Sequence, residues 1–307
     1  MPEISVIIVS WNACKFLEEC LDSLSRGITR ACEVIVIDNA SSDGSPEMVA
    51  AKFPWVRLVR SGANLGFAKG NNLAFKHARG RYVCLVNSDV NVFAGCVDAL
   101  ADYLDHHPDV GMVGPRILNA DRSLQNNCRA FPNLWNKFCV VFGLSRLFPS
   151  SSWFSGEEMC WFDHLRERAV DALVGCFIMT RVKAVEQFGL LDENFFMYGE
   201  DIDWCRRCQK SGWKVMFFPG VESLHYGGAS SANAPQRFSV ELQRAALQLW
   251  AKHRSGIECI LFRFLLLLHC LLRITRELAI AGIRRKWDPA GRLRYDAEKA
   301  CLWALFS

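Results

Sequence analysis

Two short apolar, β-branched runs, 4–9 and 33–37, read as strands buried on both faces. Between them Phe16, Leu17, Cys20, Leu21 and Leu24 recur at helical spacing, which predicts an amphipathic helix over 14–24. Strand, helix and second buried strand make a βαβ unit, implying a parallel sheet with a right-handed crossover. The alternation continues with a helix over 42–53, a strand at 56–59, a helix over 66–78 and a strand at 82–86. A helix over 93–106 and a strand near 110–113 follow. After Pro115 the pattern loosens. Residues 119–170 are rich in aromatics, hold Pro149 followed by three serines, and read as a loop-rich excursion that could cover a site, with Trp153, Phe154, Trp161 and Phe162 as its bulk. Order returns with a strand at 172–180, a helix over 181–188, a helix from about 199 and a strand at 213–218. From Phe238 onward the chain is mostly helical. The pattern predicts an open, mostly parallel α/β sheet flanked by helices, with an appended helical tail.

Composition narrows this picture. With 307 residues, 51% hydrophobic and 22% charged, the chain is neither disordered nor a fibrous repeat. A net charge of +4 gives no case for a nucleic-acid partner. The basic character belongs to the tail, where residues 252–307 carry eleven Lys and Arg against five Asp and Glu. There Leu265 to Leu268 suggest a membrane, but Arg263, Arg273 and Arg276 leave an apolar stretch, 264–272, too short to span one. A basic amphipathic helix lying in the membrane interface fits better, with Arg284, Arg285 and Lys286 drawn to anionic lipid. The rival reading is a helix packed on the sheet domain or on a second copy in a homo-oligomer. Fourteen cysteines scattered through apolar runs behave as small hydrophobes, and the lone CxxC, Cys205 to Cys208, is one helix turn without a second pair to complete a zinc site. No basic region followed by an apolar core opens the sequence. The expected setting is reducing and cytoplasmic, peripheral at the inner face of the cell membrane.

In open α/β folds the ligand sits beyond the carboxyl ends of the strands. After the first strand stand Ser10, Trp11 and Asn12, without the glycines a dinucleotide turn needs, which counts against an NAD- or FAD-dependent oxidoreductase. After the second comes Asp38, placed to accept hydrogen bonds from a base or ribose, while Ser42 and Asp43 turn the chain and cap the next helix. After the third comes Asn64-Leu65-Gly66-Phe67-Ala68-Lys69-Gly70-Asn71-Asn72, whose amides and Lys69 could meet a nucleotide. After the fourth, Asn87-Ser88-Asp89 sets two oxygen-bearing side chains two apart. They suit a hard divalent cation that also bridges phosphates, or else simply cap the following helix.

In this order the motifs resemble those of the inverting glycosyltransferases of family 2, which have the GT-A fold. Residues 5–12, 36–44, Asn64 to Phe67, Asn87 to Asp89, 196–203, and His225-Tyr226-Gly227-Gly228 with Ser230 carry the likeness over about 3–235. It looks closest to the bacterial rhamnosyltransferase-like branch that builds cell-surface polysaccharide. The resemblance implies a GT-A domain over 1–237, with a nucleotide-sugar half to about 118 and an acceptor half over 119–237, and a helical tail over 238–307. It also implies a UDP- or dTDP-sugar donor, a saccharide or lipid-linked acceptor, and Mg or Mn as cofactor. Ser10, Asn12, Asp38, Asn64, Lys69, Asn71, Asn87 and Ser88 would hold the nucleotide sugar, and Asp89 and His225 the metal. Asp201 would be the general base, with Glu200 beside it as the second candidate. Both open a helix, where the dipole favours acidic residues regardless of catalysis and would lower a carboxylate's pKa. Gly175 to Phe177 and the aromatics Phe195, Phe196 and Tyr198 would border the acceptor. Asn87 stands where many relatives have Asp, one negative charge fewer. That departure motivates an alternative, a non-catalytic membrane-associated relative that binds a nucleotide sugar or a partner.

Overall fold

The computed structural model describes residues 1–228 and 235–306; Ser230 of the last motif lies outside them. In chain order the elements are β1 (Ile4–Ser10), α1 (Cys14–Gly27), β2 (Cys32–Asp38), α2 (Ser45–Lys52), β3 (Arg57–Arg60), α3 (Gly66–Phe75), β4 (Tyr82–Val86), β5 (Val90–Val92), α4 (Cys96–His106) and β6 (Val110–Leu118). Then come β7 (Leu124–Gln125), β8 (Cys128–Arg129), α5 (Leu134–Val141), α6 (Leu144–Leu147), β9 (Arg168–Ala169), β10 (Ala172–Leu173), β11 (Phe177–Arg181) and α7 (Val182–Phe188). Last are α8 (Glu200–Lys210), β12 (Lys214–His225), α9 (Pro235–His253), α10 (Gly256–Arg284) and α11 (Pro289–Ala304). The chain divides into two compact units. Of the described residues, one holds 1–131, 162–196 and 200–228; the other holds 132–161, 197–199 and 235–306.

The first unit is built on a sheet of order β3-β2-β1-β4-β11-β6-β12-β5. β1, β2, β3 and β4 run parallel, with Ser10 level with Asp38 at their carboxyl ends. Alternate side chains point to opposite faces, and both faces are buried. Ile4, Val6, Ile8, Val34, Val36 and Cys84 meet Leu17, Leu21 and Leu24 of α1 and Val97, Leu100 and Leu104 of α4 in one apolar cluster. Ile7, Ile35, Ile37, Val83 and Leu85 are buried as well, on the other face. The sheet is mixed. β11 runs antiparallel to both β4 and β6, while β12 is parallel to β6 and antiparallel to β5. A strand buried on both faces reads the same in either direction, so the hydrophobic pattern does not reveal the reversal.

The excursion over 119–170 is not structureless. It holds β7, β8, α5, α6 and β9, and it is shared between the two units. Its aromatics are divided likewise. Phe162 packs edge-on to Phe217 in the first unit, at 5.6 Å between ring centroids, whereas Trp153 and Phe154 flank Trp135 in the second. All fourteen cysteines are free, and Cys205 and Cys208 are buried one turn apart on α8.

The second unit gathers α5, α6, α9, α10 and α11. Ser255 and Glu258 form a reciprocal capping box at the start of α10. Phe262 of α10 stacks on Trp250 of α9 at 4.1 Å, and Leu266 and Leu305 complete a small core. The opposite stripe of α10 is left open, with Ile257, Ile260, Leu261, Phe264, Leu271 and Leu272 exposed. Among the described residues no helix is long and apolar enough to cross a membrane.

Candidate functional site

Strand register brings the candidate ligands together. The β5–β12 pairing sets His225 opposite Val90, and the Tyr226 N–H donates to the Asp89 carbonyl at 3.0 Å. The imidazole of His225 therefore stands over Asp89, with Nε2 3.1 Å from Oδ1. Both side chains are buried. Nδ1 lies 2.6 Å from Gln125 Oε1, so it is the protonated nitrogen of that contact, and the Gln125 amide in turn donates to Asn119 Oδ1 at 2.8 Å and to the His225 carbonyl at 3.2 Å. Burial opposes charge on this ring, but Cys176 and the Asp89 carboxylate outweigh it and raise the imidazole to about 10. Asn87 Nδ2 lies 3.4 Å from Nε2, and a half-turn of the amide places its oxygen there instead. Ser88 is buried between the two. Among the described residues no group of three or more His, Cys, Asp or Glu side chains forms a metal cage.

The expected nucleotide contacts are placed less uniformly. The Ser10 hydroxyl is enclosed and, among the described residues, has no hydrogen-bond partner. Asn12 adopts a left-handed backbone, φ 49°, and its Oδ1 accepts from the Ser42 N–H at 2.8 Å, so this side chain shapes the loop after β2. Asp38 is buried and accepts from the Ser41 N–H at 3.3 Å. Asp43 accepts from the N–H groups of Ser45 and Cys14, serving two helix starts, as the turn reading expects. Asn64 accepts from the Gly66 N–H at 3.0 Å. Asn71 is buried and donates to the Phe67 carbonyl at 2.9 Å, a bond within the helix itself. Lys69 is exposed.

The carboxylate expected to act as base sits on α8, which Trp204, Cys205 and Cys208 anchor in the core of the first unit. Asp203, fully buried, holds Arg207 one turn on at 2.8 Å. Asp201 Oδ2 accepts from the Gly175 N–H at 2.9 Å and Oδ1 from the Ile202 N–H at 2.8 Å. The lowering expected from the helix dipole does not prevail. Desolvation raises the Asp201 carboxyl above its ordinary value, against the pull of those two N–H groups and of Arg129. Glu200 is buried. Just before α8, the Phe196 carbonyl accepts from the Phe67 N–H at 2.8 Å. Gly66, at φ +80°, comes so close that a β-carbon there would lie 2.2 Å from that carbonyl oxygen. Tyr198 and Gly199 follow, both left-handed at φ 70° and 79°.

Sequence reasoning missed Gln125. It lies on a two-residue strand inside the aperiodic excursion, and no local pattern separates it from other loop amides.

An open α/β sheet with a carboxylate–imidazole pair and a desolvated helix-start carboxylate has the arrangement in which α/β folds hold ligands beyond their strand ends. The comparisons specify which. The model for glycosyl transferase family 2 matches residues 5–148, and that for glycosyl transferase family group 2 matches 82–287. The chain is 30% identical over 264 residues to the N-acetylglucosaminyl-diphospho-decaprenol L-rhamnosyltransferase of Mycobacterium tuberculosis, covering 82% of this chain and 85% of that protein. It is 25% identical to the low-salt glycan biosynthesis hexosyltransferase Agl10 of Haloferax volcanii, over 73% of this chain and 67% of that one. In fold it is similar to a mannosyltransferase of Pyrobaculum calidifontis solved with GDP-Man and Mn2+, with a TM-score of 0.59, 19% identity, and coverage of 99% of this chain and 86% of that one. It is also similar to residues 1–349 of S. aureus TarS, with a TM-score of 0.53, 14% identity, and coverage of 98% and 90%. The chain belongs to glycosyl transferase family 2. It is a glycosyltransferase, moving a sugar from a nucleotide-sugar donor to a saccharide or lipid acceptor.

Proposed function

We propose that the chain transfers a deoxyhexose of the rhamnose type, with inversion, from a nucleotide-diphosphate sugar to a lipid-linked saccharide during assembly of a cell-surface polysaccharide. The rhamnosyltransferase likeness supports the sugar and the lipid-diphosphate acceptor. The chemistry rests on one observation. Asp201 is a desolvated carboxylate fixed by two backbone N–H groups, one of them from Gly175, whose neighbour Cys176 accepts from the Asn87 N–H. Each carboxylate oxygen keeps a further lone pair for an incoming hydroxyl. As that hydroxyl's oxygen bonds to the anomeric carbon, its proton passes to Asp201, and the bond from carbon to the diphosphate oxygen breaks on the opposite side.

The donor set at the end of β4 fits a divalent cation. A carboxylate, an imidazole oriented through Nδ1 whose Nε2 would give up its proton to the cation, and an amide turned to present its oxygen would offer three ligands, and hard cations of this class fill their remaining positions with water and substrate phosphates. Asp89, His225 and Asn87 would hold Mg or Mn, which when bound neutralises charge on the departing diphosphate. Ser10, Asp38, Asn64, Lys69, Asn71 and Ser88 border the nucleotide in this reading, with Asn12 shaping the loop after β2. The nucleotide half extends to about 118 and the acceptor half to about 237. The apolar outer stripe of α10, with the basic residues that end it, suits a helix resting on an anionic membrane surface on the cytoplasmic side.

The test is a thermal-shift panel of nucleotide sugars with and without Mn2+, followed by NMR of the transferred product. A dTDP- or UDP-sugar should stabilise the chain in a cation-dependent way, and the product should carry the inverted anomeric configuration. Retained configuration would exclude Asp201 as the general base of a direct displacement. Donor binding without any transfer would favour the non-catalytic alternative.

A further inference from the structure

Three helices of the second unit and α5 turn side chains toward a common cavity of about 360 Å³, lined by Lys137, Gln243, Ala246, Leu266, Arg273, Ala297 and Glu298 among others. Leu266 and Arg273 lie on one face of α10, seven residues and so about 10 Å apart along its axis. Polarity changes over that length. At one end Leu266 joins Trp250, Phe262 and Leu305 in the apolar core. Toward the other stand His269 and Arg273, and Lys137 acts on His269 from its place over the Phe262 ring.

The ion pairs there leave Lys137 out. Glu298 is taken by Arg273 at 2.8 Å, and Glu277 by Arg294 at 3.0 Å. Lys137 is half-buried, and among the described residues its ammonium has no hydrogen bond or ion pair; it stands 5.8 Å over the Phe262 ring. Burial pushes that ammonium down. It also pushes the His269 imidazole down, to about 4, with Lys137, Arg273 and Arg146 adding to the shift. Glu157 and Glu298 act on Lys137 without an ion pair to it, and a desolvated cation that no anion touches is costly, so this position calls for one. A free inorganic anion would leave the Leu266 end wet, and a plain hydrocarbon would leave Lys137 unmatched.

We propose that this cavity seats the phosphate end of a single lipid, with the headgroup against Lys137 and the start of its hydrocarbon chain along Leu266 and Ala246. The site deepens the reading of a lipid-linked acceptor and rests on that reading only for its biological role.

The experiment is calorimetric titration of the full chain with dodecyl phosphate below its micellar concentration, set beside dodecanol and inorganic phosphate. Dodecyl phosphate should bind one per chain, and each control should bind at least about ten-fold more weakly, since each satisfies only half the cavity. Lys137→Met should weaken binding by about ten-fold or more, and Lys137→Arg should restore most of it. Ala297→Trp, which fills the cavity, should weaken it to a similar degree and carries the test if Lys137→Met fails to fold. Unchanged binding in a folded Lys137→Met or in Ala297→Trp overturns the proposal. So does inorganic phosphate or dodecanol binding as tightly as dodecyl phosphate. Nucleotide-sugar binding is read in the same samples. If it is absent while dodecyl phosphate binds, the functional reading fails and the cavity assignment stands.

Discussion

Asp201 and Asn87 are tied to consecutive residues of one chain segment. The Gly175 N–H donates to Asp201 Oδ2 at 2.9 Å, and the Cys176 carbonyl accepts from the Asn87 N–H, also at 2.9 Å. Adjacent α-carbons are about 3.8 Å apart, so the carboxylate on α8 and the strand end before Asp89 share a rigid short link.

Asp201→Asn keeps the size of the side chain but cannot take a proton. Transfer should slow by about 10²- to 10⁴-fold with donor affinity nearly unchanged, while Glu200→Gln should cost less. Because burial raises the Asp201 carboxyl, the acid limb of the rate profile should lie above the ordinary carboxylate range. The rate falls as pH drops through that point, since the protonated form is no base. Steady-state rates across pH for both variants decide it. An inactive Glu200→Gln beside an active Asp201→Asn would move the base by one residue.

Asp89→Ala should abolish Mn2+-dependent donor binding, measured by calorimetry with and without the cation. Gln125→Ala should weaken it by about ten-fold, because His225 loses the acceptor that fixes its ring, and Gln125→Glu should retain it. Equal Mn2+ dependence in wild type and Asp89→Ala would remove the Asn87 to Asp89 segment from the metal site.

Gly66→Ala places a β-carbon 2.2 Å from the Phe196 carbonyl oxygen and forces alanine to φ +80°. Left-handed strain alone costs about 1–3 kcal/mol, and the clash adds to it. The melting temperature should fall by at least about 4 °C. An unchanged melt would mean the two segments can separate freely.

Asp105 accepts from Arg30, Arg81 and Tyr82 at the foot of the sheet. Burial works against its charge, yet those donors prevail and hold the carboxyl down at about 2. Its folded pKa lies below the unfolded value, so its stabilisation is full above about pH 4 and is lost as pH falls toward 2. Asp105→Asn should cost about 1 kcal/mol at neutral pH, after allowance for solvent screening, and the difference from wild type should shrink in acid. Urea melts at pH 7 and pH 3 would show it.

Ile260 and Phe264 are 68% and 60% exposed on the outer stripe of α10. Replacing both with Gln should release the chain from anionic liposomes in flotation assays, with stability changed by no more than about 0.5 kcal/mol. Undiminished flotation would assign that stripe another role.

The parallel half of the sheet was legible because strands such as 4–9 and 82–86 and the helices between them carry strong, distinct periods. The motif residues were legible because they follow those strands. Direction was not: nothing in Phe177 to Arg181 tells a strand which way its neighbours run. Nor did local pattern show that Asn71 and Asn12 spend their amides on the backbone, or that Gln125 reaches His225 across 100 residues. The pKa of Asp201 went against the local rule because the helix dipole is read from sequence, whereas desolvation depends on the neighbours that fold around it.

The zero clearance between Gly66 and the Phe196 carbonyl bears on how such an enzyme can diversify. The loop that follows β3 and the segment that leads into α8 meet backbone to backbone, without a side chain to absorb a change in length. An insertion or deletion between β3 and Gly66 would be passed to the start of α8, and so to Asp201. If the loop borders the donor as proposed, new donor preferences are then reachable by exchanging its side chains, while lineages that alter its length must acquire compensating changes near 196 at the same step.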